Sequence, residues 1–148
     1  MSRALGSFGA PLALAVALAL GGCFSERPTE PQGTGPVSFA ADVEPILASG
    51  CAFSGCHGTI NANPGNKPMV LTAGQAYNNI VGVPSGELPS MNRITAGDPD
   101  KSYLIHKLQG THASVGGAGS RMPLGQAPFS QSSIDLIRKW AKDGALRN

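Results

Sequence analysis

The sequence predicts a small, loop-rich, all-α domain, and three observations carry this prediction. Apolar residues recur at helical spacing in residues 38–47, 102–108 and 130–143. No segment shows the alternation of apolar and polar residues that a half-buried strand requires. The chain of 148 residues contains 20 Gly and 12 Pro, which favours long irregular connections. A chain of this length is expected to form one domain around one core.

The first helix is expected directly after Ser38, whose hydroxyl can cap it. Its apolar face is spaced by four, three and one positions: Phe39, Val43, Ile46 and Leu47. Pro45 lies inside this stretch, and a proline in a helix interior removes a hydrogen bond. The pattern therefore predicts a kink at Pro45 or a helix that starts nearer Asp42. This helix would deliver the chain to Cys51.

Three further helices are expected along the chain. Residues 73–81 predict a short one. The next begins at Asp98, which can cap it, has Pro99 at its first position and stops at Gly110. The last spans 130–143. One side of this last helix carries Ile134, Leu136, Ile137, Trp140 and Ala141. The terminal helices should cross, with Phe39 packed against Trp140.

The beginning of the chain has the features of an export signal. Residues 1–22 combine a short positive start with an apolar run that is too short to span a bilayer comfortably. This run ends in Leu20-Gly21-Gly22-Cys23, which resembles the site at which bacterial lipoproteins are cleaved and acylated on the cysteine. The alternative is an ordinary signal peptide with a chance cysteine at its junction. Residues 23–36 predict a flexible tether, because 25–36 contain no large apolar side chain, and 37–148 the folded domain.

Residues 51–57, with the sequence C-A-F-S-G-C-H, carry the strongest chemical signal. Two thiols that lie close together, with an imidazole directly after the second, can tether a haem covalently. The sulfurs of Cys51 and Cys56 would add to the porphyrin vinyl groups, and His57 would ligate the iron. The usual spacing has two residues between the cysteines, whereas this chain has four. Ser54-Gly55 can bend the two extra residues outward.

Two alternatives exist for these residues. A Cys51–Cys56 disulfide is common in exported proteins, but it gives no reason for the adjacent imidazole. A structural zinc site needs four ligands, and this segment supplies three, of which two are sequence neighbours. Haem attachment explains all three residues.

The domain as a whole resembles the small monohaem cytochrome c domains of bacterial exported proteins and lipoproteins. Beyond the Cys56-His57-Gly58 segment, the similarity rests on residues 39–47, 83–85, 97–99, 103–108, 121–123 and 137–145. The resemblance implies a cytochrome c fold, one covalent haem c and axial ligation of the iron by histidine and methionine. The four-residue gap between the cysteines departs from the pattern of the family.

The second iron ligand must come from few residues. Met122 lies in a loop beside Pro123, before the last helix, and the resemblance places the methionine ligand in such a loop. From the residues alone, Met91 is a comparable candidate, and Met69 is a third. A bis-histidine site would use His112 in preference to His106, which is expected to pack on its own helix. The ordinary role of any methionine is to fill a core.

Other residues have candidate supporting roles. The carbonyl of Pro68, or equally that of Pro64, can accept a hydrogen bond from the second ring nitrogen of His57. Arg93 and Arg121 can pair with haem propionates, although one of them is expected to be a solvated surface residue. Tyr103 and Trp140 are expected to be core residues in the first place, with packing near the haem as the alternative.

These assignments predict an electron carrier rather than an enzyme. Two strong axial ligands leave no position for a substrate, so transient redox partner proteins are expected and a small-molecule substrate is not. The formal net charge of +2 gives no indication of nucleic-acid binding. Lipid on Cys23 would hold the protein at a bacterial membrane, facing the periplasm, and the absence of Asp after Cys23 favours the outer membrane. The alternatives to an electron carrier are a haem enzyme or gas sensor with a labile sixth ligand, and a binding lipoprotein that is stabilised by a disulfide.

Overall fold

The structure, a computed structural model, describes residues 35–59 and 68–148. The predicted signal peptide, the acylation site Cys23 and nearly all of the tether lie outside the described residues, as does Pro64. Within the described ranges the chain forms four α-helices: α1 (Glu44–Cys51), α2 (Ala76–Ile80), α3 (Tyr103–Gln109) and α4 (Gln131–Lys142). These ranges contain isolated β-bridges but no strand. The prediction of a small, all-α, loop-rich domain is therefore confirmed.

The start of the first helix shows how Pro45 is accommodated. Ser38 caps it as expected, since its hydroxyl accepts a hydrogen bond from the backbone N–H of Ala41 (3.2 Å). A π-helical turn over Phe39–Val43 comes first, and α1 follows it directly. Pro45 thus lies in the first turn of α1, where no backbone N–H is needed. Of the two alternatives that the sequence left open, the start of α1 at Glu44 agrees with a helix that begins nearer Asp42, and the π-helical turn precedes it.

The helix expected from Asp98 to Gly110 is divided in two. Asp98 caps only the 3₁₀ turn Pro99–Lys101, and Ser102 then adopts an extended conformation before α3 begins. The buried Ser102 hydroxyl donates to the carbonyl of Asp98 (2.8 Å) and accepts from the N–H of Thr95 (2.9 Å). A serine that hydrogen-bonds nearby backbone competes with the helix, and here it interrupts it. The end of α3 is as predicted, with Gly110 in the left-handed conformation (φ 79°).

The terminal segments pack against each other through an aromatic cluster, and the predicted contact of Phe39 with Trp140 is confirmed. The rings of Phe39 and Trp140 lie 5.1 Å apart between centroids, and Tyr77 of α2 meets Phe39 edge to face at 5.2 Å. The indole N–H of Trp140 donates to the carbonyl of Leu146 (2.9 Å), so the buried ring leaves no polar atom unsatisfied. Trp140 is a core residue, which was the first expectation for it.

Candidate cofactor site

A cavity of about 420 Å³ opens between the C-terminal end of α1, one face of α3 and the loop that precedes α4. This volume lies within the range of roughly 300–1,000 Å³ that is usual for ligand sites. Its walls contain all four haem-site residues that the sequence predicts in the domain: Cys51, Cys56, His57 and Met122. The apolar part of the lining is otherwise made of Met69, Leu71, Leu104, Leu108, Pro123 and Leu124.

The segment between the two cysteines forms a compact outward loop. Cys51 is the last residue of α1, and its carbonyl accepts a hydrogen bond from the backbone N–H of His57 (3.1 Å). The N–H of Cys56 donates to the carbonyl of Phe53 (3.0 Å), which closes a turn inside the loop. Gly55 has a φ of 85°, so the bend expected at this glycine is confirmed. The four intervening residues thus leave Cys51, Cys56 and His57 on one cavity wall.

The His57 ring is oriented by the backbone of the next described segment. Its Nδ1 lies 3.1 Å from the carbonyl oxygen of Met69. Because a carbonyl can only accept, the proton is on Nδ1 and the lone pair is on Nε2, the atom available to a metal. Burial lowers the pKa of His57, the Met69 contact opposes this, and the charge of Arg93 adds to the lowering. The expected partners were Pro68 or Pro64. Pro64 lies outside the described residues, and the expectation for Pro68 is wrong by one residue, since its carbonyl accepts from Arg93 (3.4 Å).

Both cysteines are free thiols, of which Cys51 is buried and Cys56 exposed. Burial raises the pKa of Cys51 to about 11, with a smaller contribution from Cys56. At neutral pH the free Cys51 thiol therefore carries its proton. Among the described residues no group of three or more His, Cys, Asp or Glu side chains is arranged to hold a metal ion directly. The arrangement does not support the zinc alternative.

The methionine candidates separate clearly in the structure. Met122 lines the cavity, and its backbone N–H donates to the carbonyl of Lys107 (3.0 Å), which fixes its loop to α3. Met69 also lines the cavity, but its own carbonyl lies behind the His57 ring, on the Nδ1 side. Met91 does not line it. Met69 is therefore a more serious rival to Met122 than Met91, which reverses the order expected from sequence.

The other histidines lie outside the cavity lining. Both ring nitrogens of His106 have protein partners, the hydroxyl of Thr111 (2.8 Å) and the carbonyl of Asp100 (2.9 Å). His112 is buried, and its Nε2 pairs with the carbonyl of Gly119 (2.9 Å). Neither geometry favours a bis-histidine site.

The two arginines have different surroundings. Arg93 is buried and lines the cavity, and it donates to the carbonyl of Asn79 (2.7 Å). Arg121 is exposed and lies outside the lining. The expectation that one of the two would be a surface residue is met by Arg121, and Arg93 is the candidate to face an acidic group of a ligand.

A polar cluster in the cavity wall was missed by sequence reasoning. Lys107 and Tyr103 both contact the carboxylate of Glu87, each at 2.8 Å, and the Lys107 side chain is only 6 % exposed. Tyr103 and Lys107 are four residues apart on α3, so their shared face could have been predicted from their spacing. Glu87 belongs to an irregular loop, and nothing in its sequence context indicates the contact.

Burial raises the pKa of Tyr103 to about 12, and its hydrogen bond to Glu87 and the charge of that group contribute further. The folded state thus holds the phenol protonated. This contribution to stability is complete below pH 10, the unperturbed value, and is lost as the pH rises through about 12.

Glu87→Gln is expected to destabilise the fold by about 3 kcal/mol, because it leaves the buried Lys107 ammonium without its counter-charge. The free energy of unfolding in urea, followed by circular dichroism on the purified protein, measures this. Asp100→Asn is the matched control. It breaks the ion pair with Arg138, in which Asp100 is 78 % exposed, and should cost less than about 1 kcal/mol. Equal losses for the two variants would contradict the assignment of Glu87 to a buried cluster.

Comparison of the chain with models of known protein families, with curated proteins and with solved structures finds no match. In the described ranges no helix is long and apolar enough to cross a membrane. Any assignment of function therefore depends on the chemistry of the cavity and on the sequence motifs.

Proposed function

We propose that the chain is a monohaem c-type cytochrome that transfers single electrons between transient redox partner proteins. The observation that carries this proposal is the composition of the lining of one cavity. Two thiols, a neutral imidazole with its lone pair on Nε2 and a thioether line the same cavity. This is the donor set that covalent attachment and His/Met ligation of haem c require.

The residues of the cavity are suited to a haem in three respects. Cys51 and Cys56 would form the thioethers, and His57 and Met122 would be the axial ligands. Leucine and methionine side chains surround the remaining space and would cover the porphyrin faces. Arg93 contributes positive charge to the lining, near which the propionates of a haem would be stabilised, whereas the charge of Lys107 is paired with Glu87. When bound, the haem would supply an iron that cycles between the ferrous and ferric states.

The roles of the protein in this function are binding, orientation and exclusion of water. Met69 holds His57 in one tautomer, and the loop of Met122 is hydrogen-bonded to α3. Rigid axial ligands keep the geometry similar in both oxidation states, which favours electron transfer over substrate chemistry. The exposed Cys56 side of the cavity is where a partner protein would approach.

The proposed location is a bacterial membrane, outer in preference to inner, with the domain in the periplasm. It rests on the Leu20-Gly21-Gly22-Cys23 motif, which lies outside the described residues. Acyl chains on Cys23 would supply the membrane affinity, and residues 24–36 would serve as the tether to the domain.

A potentiometric titration of the purified haem protein tests the proposed activity. One reversible transition that follows a one-electron curve is expected, because a single haem with fixed ligands takes up one electron. The reduced protein should also leave carbon monoxide unbound, because both axial positions are occupied. Rapid binding of carbon monoxide would contradict the carrier and favour the alternative of a haem enzyme or gas sensor.

A further inference from the structure

One peptide group connects the His57 ring to a side chain on α2. The carbonyl of the Met69–Val70 peptide accepts from His57 Nδ1 (3.1 Å). The N–H of the same peptide donates to Asn79 Oδ1 (3.2 Å). Because a peptide group is planar, a partner that fixes its N–H also fixes the direction of its carbonyl. Asn79 therefore determines where the acceptor for His57 lies.

Both the side chain and the backbone of Asn79 have further hydrogen-bond partners. Its amide nitrogen donates to the carbonyl of Gln75 one turn earlier in the chain (3.0 Å). Its own carbonyl accepts from the buried Arg93 (2.7 Å), which also reaches the carbonyl of Pro68 (3.4 Å). Segment 68–70 is thus tied to the end of α2 at two places. A side chain with this many fixed partners keeps its Oδ1 in one position.

We infer that Asn79 is a positioning residue for the proposed iron ligand His57, which it orients and makes more basic through the Met69–Val70 peptide. This inference rests on the proposed function. Hydrogen bonds in a chain polarise one another, so the bond from Val70 to Asn79 makes the Met69 carbonyl a stronger acceptor. A stronger acceptor at Nδ1 raises the electron density on Nε2, as such outer partners do for metal-bound histidines. An electron-rich imidazole stabilises ferric iron and lowers the reduction potential.

The test uses the haem-loaded protein and compares Asn79→Ala with Asn78→Ala. Asn78 is the exposed neighbour on α2, and its side chain accepts a long hydrogen bond from Arg147 (3.4 Å). The first readout is hydrogen exchange of the His57 Nδ1 proton in the diamagnetic ferrous protein, followed by nuclear magnetic resonance. Asn79→Ala should accelerate this exchange by about five- to tenfold, the equivalent of one ordinary hydrogen bond of about 1 kcal/mol. Asn78→Ala should leave it unchanged.

The second readout is the reduction potential. It should stay unchanged if Asn79 only stabilises the fold. Asn79→Ala should shift the ferric/ferrous equilibrium by about threefold toward ferrous iron, less than the tenfold or greater effects of direct second-shell partners. For one electron this corresponds to a rise of about 30 mV, since a tenfold change is about 59 mV. Asn79→Asp keeps an acceptor for the Val70 N–H, so its proton exchange should remain within about twofold of the wild type. If Asn79→Ala does not fold, Asn79→Asp tests whether the acceptor at residue 79 controls the exchange of the His57 proton.

Failure of the inference and failure of the proposed function are distinguishable. A wild-type protein without haem would contradict the proposed function itself. Haem-loaded variants in which Asn79→Ala and Asn78→Ala have the same proton exchange and the same potential would overturn only the role of Asn79. Rapid exchange in Asn79→Asp would overturn it as well, because that variant retains the acceptor.

Discussion

Replacement of His57 by alanine should abolish the low-spin haem protein completely. Among the described residues, His57 is the only imidazole in the lining of the cavity, and its tautomer leaves Nε2 for the iron. Without it the haem would lose its strong ligand from the attachment side, and no other histidine of the described residues lies in the cavity wall to replace it. Absorption spectra of the purified variant and the yield of haem per polypeptide measure this loss.

His106→Ala is the matched control for this experiment. Both nitrogens of His106 are hydrogen-bonded within the protein, outside the cavity lining. Its removal should change stability by about 1 kcal/mol per lost hydrogen bond and leave the spectrum as it is. A normal low-spin spectrum in His57→Ala, or its loss in His106→Ala, would contradict the proposed ligation.

Replacement of Met122 by alanine should convert the proposed carrier into a protein with an open iron. A thioether ligand gives ferric haem a weak charge-transfer band at the red limit of the visible spectrum, and this band should disappear. The potential should fall by on the order of a hundred millivolts, a part of the range of about 0.8 V over which axial ligands set haem potentials. Carbon monoxide should then bind to the reduced variant, in contrast to the wild type.

Two other methionines serve as comparisons for Met122. Met91→Ala should keep the band, because this residue lies outside the cavity lining. Met69→Ala is the more demanding comparison, since Met69 lines the cavity and is held behind His57 by its backbone. Loss of the band in Met69→Ala with its retention in Met122→Ala would transfer the ligand to Met69. Loss of the low-spin spectrum in His112→Ala, with no spectral change in the three methionine variants, would indicate a bis-histidine site.

The helices were predictable where they have a local signal. Ser38 caps the first helical segment as expected, and Gly110 ends α3 as a left-handed residue, whereas Asp98 caps only the 3₁₀ turn ahead of α3. The pairing of Phe39 with Trp140 followed from two apolar faces that need a partner. The interruption at Ser102 was not predictable, because it depends on hydrogen bonds to backbone atoms of a loop whose path is not encoded locally.

The sequence predicts residues that meet in one cavity but not their supporting contacts. Cys51, Cys56 and His57 were selected by their types and spacing alone, and the structure places all three in the lining of the same cavity. The partner of His57 is Met69 and not Pro68, a shift of one residue that depends on where the chain places its backbone against the ring and is not encoded locally. The contacts of Glu87 and Asn79 could not be predicted from the sequence, because their partners come from separate segments of the chain.

The most direct test of the proposed haem site is acid–acetone extraction of the purified protein, followed by mass spectrometry of the polypeptide. Thioether bonds from Cys51 and Cys56 survive this treatment, so the haem should stay with the protein and the polypeptide mass should include one haem. Release of all haem into the organic phase, or a haem-free polypeptide with a Cys51–Cys56 disulfide, would contradict a c-type cytochrome.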